Sequence, residues 1–181
     1  MIRPLALTLA LTIAIAATVV AQAVPQNSEP SPHLIAAAMA AGTEDSAAES
    51  ELLQLANQSR REAGAPPLRV NPNLIVAARA HAKLMVAERQ LSHQFRGEPS
   101  LMKRLRETGV PLNSVGENVA YHASVEQAFN ALMHSPPHRQ NLLDPEFNAA
   151  GFAAFWSEGR LYVVQDFVRQ TAEVAPVSQR K

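Results

Sequence analysis

The stretch at positions 132–151, LMHSPPHRQNLLDPEFNAAG, constrains the fold of this chain more than any other. A helix that reaches Ser135 must end there, because the two prolines that follow lack the backbone N–H groups that a continuing helix needs. The sequence therefore predicts that His138 lies on a rigid turn, and that the apolar pair Leu142–Leu143 fastens this turn to a core. A histidine on a stiffened segment between two packed elements is well placed to bind a ligand or carry a proton.

Positions 1–23 have the pattern of a secretory signal peptide. Arg3 provides the positive start, Leu5–Val20 carries no charge, and Ala21-Gln22-Ala23 fits the small-x-small cleavage rule. An uncleaved membrane anchor is the alternative, but the uncharged run is shorter than the ~20 residues of a membrane span. We therefore expect a secreted or periplasmic, cell-envelope protein with no stable membrane span after cleavage.

Charge and cysteine content exclude several classes of function. Cleavage of the signal peptide would remove Arg3 and leave 15 basic and 16 acidic residues. The chain has no basic stripe, so nucleic acid is not an expected partner. The absence of cysteine rules out disulfides, thiolate metal sites and thiol catalysis. The hydrophobic core alone must hold the domain together, and a domain of ~135 residues is large enough for that.

The composition divides the chain into four parts. After the signal peptide, positions 24–45 contain prolines and then an alanine-rich patch, which is typical of a linker. Positions 46–170 are expected to form the domain, and 171–181 a flexible tail.

Within the domain, helix signals come first and strand signals last. Capping patterns at Ser46, Asn71 and Ser124 predict helix starts, and a shorter helix is expected from Ser100. Two strand-like runs at 149–156 and 161–168 are joined by a turn that contains Gly159, which predicts a hairpin. This order indicates an α+β layered domain.

Polar residues on two of the helices are assigned from the apolar pattern. His81 lies on the apolar stripe of the second helix, which favours a core histidine over a ligand. On the third helix Leu105 is expected to face inward, with Lys103, Arg104 and Arg106 in solvent.

Three residues could carry chemistry: His93 in a loop, Glu117 beside a glycine, and His138 after the two prolines. Two imidazoles and a carboxylate form the ligand set of many zinc sites that keep a water in the fourth position. Spacing does not show that the three converge. Glu117 as a structural hydrogen-bond acceptor, with both histidines as exposed loop residues, is the simpler interpretation from spacing alone.

Two other arrangements are rejected. His134 and His138 are four apart, but the intervening prolines prevent a shared helix, and no glutamate follows His134 as a helical zinc motif requires. A serine nucleophile at Ser135 lacks the G-x-S-x-G elbow.

An ordered set of motifs between about positions 51 and 167 resembles the CAP superfamily of cysteine-rich secretory, antigen 5 and pathogenesis-related proteins, in its cysteine-free bacterial branch. Each motif is weak by itself, whereas the set in this order is specific. The motifs are Asn57 with Arg60, Asn71-Pro72, Ala77–Ala82, Ser92-His93, Gly116-Glu117-Asn118, Ser135–Leu143 and Tyr162–Phe167.

This resemblance implies a three-layer α-β-α sandwich with a central antiparallel sheet, and a cleft where two histidines and two acids meet. His93, Glu117 and His138 match three of those positions, whereas the second acid falls at or near Ser135. Serine cannot replace a carboxylate as a general base, so hydrolysis is in doubt. Leu132 replaces the usual tryptophan, which thins the aromatic wall of the cleft.

The resemblance leaves three functions open. The first is a secreted binding module whose cleft holds a small hydrophobic ligand, lipid or protein, with zinc or another divalent cation on His93 and His138. The second is a metal-dependent, peptidase-like hydrolase, and the third is a structural envelope-associated protein. The missing acid favours the first and third, so a non-enzymatic role is expected.

Overall fold

Short edge strands alternate with helices before the chain enters a long hairpin, in this computed structural model that describes residues 42–171. The predicted signal peptide, most of the predicted linker and the tail after 171 lie outside the described residues. The elements are β1 (Thr43–Glu44), α1 (Ser46–Glu62), β2 (Arg69–Val70), α2 (Pro72–Glu88), α3 (Leu101–Arg106), β3 (Leu112–His122), α4 (Val125–His134), α5 (Pro136–Leu143), β4 (Ala149–Ser157) and β5 (Arg160–Gln170).

The strands form one sheet in the order β1-β4-β5-β3, with β2 beside β4 on the same edge as β1. β2 runs parallel to β4, and the other neighbours are antiparallel. The predicted hairpin is confirmed as β4–β5, and its turn places Glu158 and Gly159 at φ values of 51° and 72°. β3 is an 11-residue edge strand that pairs with β5.

Helices cover both faces of the sheet, as the α-β-α sandwich requires. Alternation along β5 sends Val163 and Phe167 into one core with α1, α4 and α5, and Val164 and Val168 into the core under α2 and α3. Gly151 allows α2 to lie close to β4, because a Cβ at this position would stand 2.1 Å from the carbonyl carbon of Leu74.

The start of α1 differs from the prediction. Asp45, not Ser46, is the N-cap, and its carboxylate accepts the Ala48 N–H at 2.9 Å and the Trp156 indole N–H at 2.9 Å. Together with β1, this cap places 42–45 in the folded domain, although the linker was expected to extend to 45. The Glu49 carboxylate in the first turn is paired with Arg79 and takes no part in the cap.

The two prolines begin a helix rather than hold a turn, which corrects the prediction for His138. They occupy the first positions of α5, where a helix N–H has no partner to lose and the fixed φ of proline is already helical. Ser135, at φ −92° and ψ 115°, separates α4 from α5, so the prediction that His134 and His138 share no helix is confirmed.

Arg60 ties α1 to the segment that follows α5. Its side chain has no exposed surface and donates to four carbonyl oxygens. The acceptors and distances are Pro66 at 2.7 Å, Leu142 at 2.8 Å, Asp144 at 2.9 Å and Phe147 at 2.8 Å. Burial lowers the pKa of the guanidinium, and Asp144 opposes that shift.

Candidate functional site

The two candidate histidines come from opposite helical layers and are both held by the edge strand β3. His93 lies on the loop between α2 and α3, and His138 lies in the first turns of α5. Consecutive side chains of a strand point to opposite faces, so Glu117 faces the α2 layer and Asn118 faces the α5 layer. Each of these two residues fastens one histidine.

Glu117 orients the imidazole of His93. Its Oε1 lies 2.8 Å from His93 Nδ1, and its side chain is buried, with 2% exposed. The hydrogen bond to Glu117 raises the pKa of His93, and burial opposes that shift. The proton therefore resides on Nδ1, and Nε2 remains the nitrogen that can bind an external group, which is the usual arrangement when a carboxylate supports a metal-binding histidine.

Asn118 holds His138 through the backbone. Its Nδ2 donates to the His138 carbonyl at 3.0 Å and to Gln165 Oε1 at 3.1 Å. Asn141, one turn further along α5, donates to Asn118 Oδ1 at 3.0 Å and to the Glu117 carbonyl at 3.2 Å. This anchor consists of neutral amides and leaves the His138 ring available.

The His138 ring is half-buried and lies within the electrostatic field of His93. Burial lowers the pKa of His138, and the charge of His93 lowers it further. The ring is therefore neutral near pH 7, with a lone pair available for a ligand.

Ser135 stands at the junction of α4 and α5, three residues before His138, and its hydroxyl makes no cap hydrogen bond. No carboxylate occupies this position. Across residues 42–171, no group of three or more histidine, cysteine or acidic side chains could hold a metal ion. A cation at this site would have two imidazole ligands, and Glu117 would act behind His93 rather than as a third ligand.

A buried charged cluster that the sequence did not predict supports the His93 loop: His81, Glu98 and Arg104. Glu98 Oε1 lies 2.7 Å from His81 Nδ1 and 3.4 Å from Arg104 Nη1. His81 Nε2 lies 2.8 Å from the carbonyl of Ser92, the residue before His93. His81 is a core residue, as predicted, and it also connects the loop to α2.

The prediction that Arg104 faces solvent is wrong, because its side chain is only 9% exposed. Arg104 donates to Glu117 Oε2 at 2.5 Å and to the carbonyls of His93 at 3.2 Å and Pro99 at 3.4 Å. One guanidinium thus binds both the backbone of the loop and the carboxylate that orients the ring. Helical periodicity missed this residue because a long basic side chain can reach a buried acid from a polar helix face.

Asp166 places a second carboxyl group beside Glu117. The two residues are directly opposite each other in the β3–β5 register, and Asp166 is fully buried. Burial raises the pKa of Asp166 well above its ordinary value, and the charge of Glu117 adds to that shift while Arg104 opposes it. The shift favours the neutral form of the Asp166 carboxyl group. An acid inside the apolar run LYVVQDFV was the available sequence signal.

Comparison with known proteins matches residues 53–167 to the model of the CAP family, described as the cysteine-rich secretory protein family. The Bacillus subtilis protein YkwD is 31% identical over 107 residues, which are 59% of this chain and 42% of that protein. The chain thus spans less than half the length of this curated relative.

Two solved structures share the fold. An outer surface protein from Borrelia burgdorferi has a TM-score of 0.66 at 17% identity, covering 72% of this chain and 99% of that one. An extracellular SCP-domain protein from Bacillus anthracis has a TM-score of 0.62 at 26% identity, covering 68% of this chain and 41% of that one.

Proposed function

This chain belongs to the CAP family of cysteine-rich secretory proteins, and from that premise we propose that it is an exported binding module whose site carries a divalent cation on His93 and His138. The observation that carries the proposal is that neighbouring residues of β3 hold both histidines in place. Glu117 fixes the Nδ1 proton of His93, and Asn118 fixes the backbone of His138. A pair of imidazoles that the fold already holds in position suits zinc, which accepts nitrogen ligands readily.

Binding is favoured over hydrolysis because neither Glu117 nor Ser135 provides a free carboxylate that could act as a general base beside the cation. Both oxygens of Glu117 already accept hydrogen bonds, from His93 and from Arg104. Ser135 stands where a second acid would be expected, and serine is not a base at neutral pH. The remaining coordination positions of the cation would be filled by water or by a group of the bound partner.

Export is part of this proposal. The signal-peptide pattern at 1–23 supports it, as do the extracellular and outer-surface descriptions of the structural relatives. Among residues 42–171, no helix is long and apolar enough to cross a bilayer. The partner is expected to be a small hydrophobic ligand, a lipid or a protein.

Zinc titration of the purified chain by calorimetry tests the cation site. We expect one zinc per chain, and at least a ~10-fold loss of affinity in His93→Ala and in His138→Ala, because each removes half of the protein ligands. His134→Ala is the matched control, since His134 is exposed and lies across the helix break. Unchanged stoichiometry and affinity in the double variant would refute the site.

The pH dependence of zinc binding has a defined direction. Zinc competes with a proton for Nε2, so binding weakens as the pH falls through the pKa of each ring. Because Glu117 raises the pKa of His93 above its ordinary 6.5, the loss should begin above pH 6.5 and be governed by His93 rather than by His138. A midpoint set by a group whose pKa lies below the ordinary histidine value would contradict this assignment.

A peptidase screen with and without chelator separates binding from hydrolysis. We expect no turnover in either condition. Turnover that chelator abolishes and zinc restores would replace the binding proposal with a metal-dependent hydrolase.

A further inference from the structure

The sheet edge farthest from the two histidines is interrupted. β1 pairs with Phe155 and Trp156 of β4, and β2 pairs with Ala149 and Ala150. The residues between these pairs, 151–154, have no strand beside them on this outer edge.

Along this edge, one of the described residues has backbone N–H and C=O groups without a hydrogen-bond partner. The Asn71 N–H donates to the Ala150 carbonyl at 3.0 Å, and the Asp45 N–H donates to the Ala154 carbonyl at 2.9 Å. The Ala154 N–H reaches Glu49 Oε1 at 3.4 Å. Backbone groups two residues apart point to the same side, so Phe152 faces this edge as well. None of the hydrogen bonds found among residues 42–171 reaches its outward N–H or C=O.

Phe152 is 3% exposed as a whole residue, so its two unpartnered backbone groups have little access to bulk water. Buried backbone donors and acceptors that lack partners are costly and rare, and they are usually completed by water or a ligand. The backbone of another peptide is complementary to this pair, because its N–H can donate to the free carbonyl and its C=O can accept from the free N–H.

Phe152 is one of the residues that line a crevice of about 250 Å³ between α1 and α2. Apolar side chains line it from both sides: Leu53 of α1, Val70 of β2 and Ile75 of α2. Leu53 and Ile75 are only half-buried, and Val70 is 49% exposed, so apolar surface is available to a guest.

The rim of the crevice is charged and rigid. Arg79 bridges the two layers, with its guanidinium 2.7 Å from Glu44 and 2.5 Å from Glu49. This ion cluster keeps α1 and α2 at a fixed separation over the gap. Its two carboxylates and single guanidinium give the rim an excess of negative charge, which disfavours an acidic guest.

We propose that this crevice binds an extended, non-acidic peptide segment, one residue of which lies opposite Phe152 as an added strand. The N–H and C=O of that residue complete the two backbone hydrogen bonds of Phe152, and its aliphatic side chain fills the space between Leu53 and Ile75. This is strand addition at a sheet edge, in which backbone bonds give affinity and a side-chain pocket gives selectivity. The gap admits about one residue, so one residue of the extended guest pairs with Phe152 and the residues on either side of it leave the sheet edge.

This site is separate from the histidine site. Glu117 and Asn118 lie on β3, the opposite edge of the sheet, with β5 and β4 between. Peptide binding at the crevice therefore requires no metal, and its test can be run in chelator.

The test is a nuclear magnetic resonance titration of the ¹⁵N-labelled full chain with the tripeptide Ac-Ala-Leu-Ala-NH₂ in the presence of chelator. We expect saturable shifts of the Phe152 amide resonance. The same peptide methylated on the leucine nitrogen should bind at least ~10-fold more weakly, because it cannot donate to the Phe152 carbonyl. Ile75→Trp should fill the crevice and abolish the shifts, and Val76→Trp, at the neighbouring side chain that is 68% exposed, should preserve them.

Three outcomes would overturn the proposal. The first is a Phe152 amide that does not shift, which would leave only water at this edge. The second is equal binding of the methylated peptide, which would indicate an apolar cavity without strand addition. The third is shifts confined to the surroundings of His93 and His138. Because the methylation test uses the unmodified chain, it remains decisive if Ile75→Trp fails to fold.

Discussion

Two adjacent residues of β3 hold the two histidines through different interactions, one charged and one neutral. Glu117 works through charge: it is buried among Arg104, His81 and Asp166, and it alters the pKa of His93. Asn118 works through neutral amides and binds the His138 backbone. The support of His93 is thus sensitive to protonation, whereas the backbone anchor of His138 consists of groups that do not titrate.

The same contrast extends to the layers behind the two histidines. On the α5 side, Arg60 donates to four carbonyls, so its role is to satisfy backbone groups. On the α2 side, Arg104 forms ion pairs with Glu98 and Glu117, and His81 Nδ1 lies 2.7 Å from Glu98 Oε1. The four predictions below test this difference, in decreasing order of expected effect.

The largest effect is expected for Arg60→Ala, on the neutral side. It leaves four carbonyls without their donor in a fully buried site, so we expect the free energy of unfolding to fall by about 3–5 kcal/mol. Denaturant unfolding followed by circular dichroism measures it. Arg61→Ala, at the exposed neighbouring position, should change stability by less than about 0.5 kcal/mol. Equal effects of the two variants would contradict the role of Arg60.

On the α2 side of the sheet, the loss of a packed side chain should lower the free energy of unfolding by nearly as much. Leu74 is fully buried where α2 approaches Gly151, so Leu74→Ala should cost about 2–5 kcal/mol through lost burial and a cavity. Val76→Ala, two residues along the same helix and 68% exposed, is the control and should stay within about 0.5 kcal/mol. An unchanged melting temperature in Leu74→Ala would mean that α2 does not pack as described.

Asp166→Asn should change the pH dependence of stability. The folded state raises the pKa of Asp166, so above the unfolded value the unfolded chain loses a proton that the folded chain keeps. Stability from this group is complete below the unfolded pKa and falls as pH rises toward the folded pKa, by up to about 1.4 kcal/mol per pH unit.

Asparagine carries no titratable proton, so the variant should lose this slope and gain stability relative to the wild type between about pH 5 and 8. Melting temperatures measured across that range provide the test. The exposed Glu146→Gln is the control, and it should leave the slope unchanged. Parallel curves for Asp166→Asn and wild type would show that Asp166 is ionised in the folded protein.

The smallest effect on stability, about 1 kcal/mol, is expected for Glu117→Gln, since glutamine keeps the shape and can still accept a hydrogen bond. Its effect on the site is larger. The pKa of His93 should fall toward its ordinary value because its largest cause is removed, and zinc affinity should drop by about 10–100-fold.

Proton resonances of the His93 ring, followed through a pH titration, measure that change. Asn118→Ala is the counterpart on the neutral side: it should disturb the position of His138 without lowering the pKa of His93. If both variants shifted the pKa of His93 equally, the contrast between a charged and a neutral anchor would be lost.

Periodicity and capping predicted much of the fold. The spacing of apolar residues located α2 and its buried stripe, and the turn around Gly159 located the β4–β5 hairpin. The same patterns failed where a side chain crosses between elements. Arg104 lies on a polar helix face and yet is buried, and the prolines after Ser135 begin a helix that local rules assigned to a turn.

The sequence by itself determined the family, the main helices, the β4–β5 hairpin, the absence of disulfides and the two imidazoles, because these depend on residue types and local spacing. Only the tertiary structure decided what surrounds those imidazoles. Asp166, Arg104 and His81 are distant in the chain from Glu117, and they meet it because the sheet register and the approach of α2 bring them together. Protonation states in a buried cluster depend on such distances and on desolvation, which no local pattern encodes.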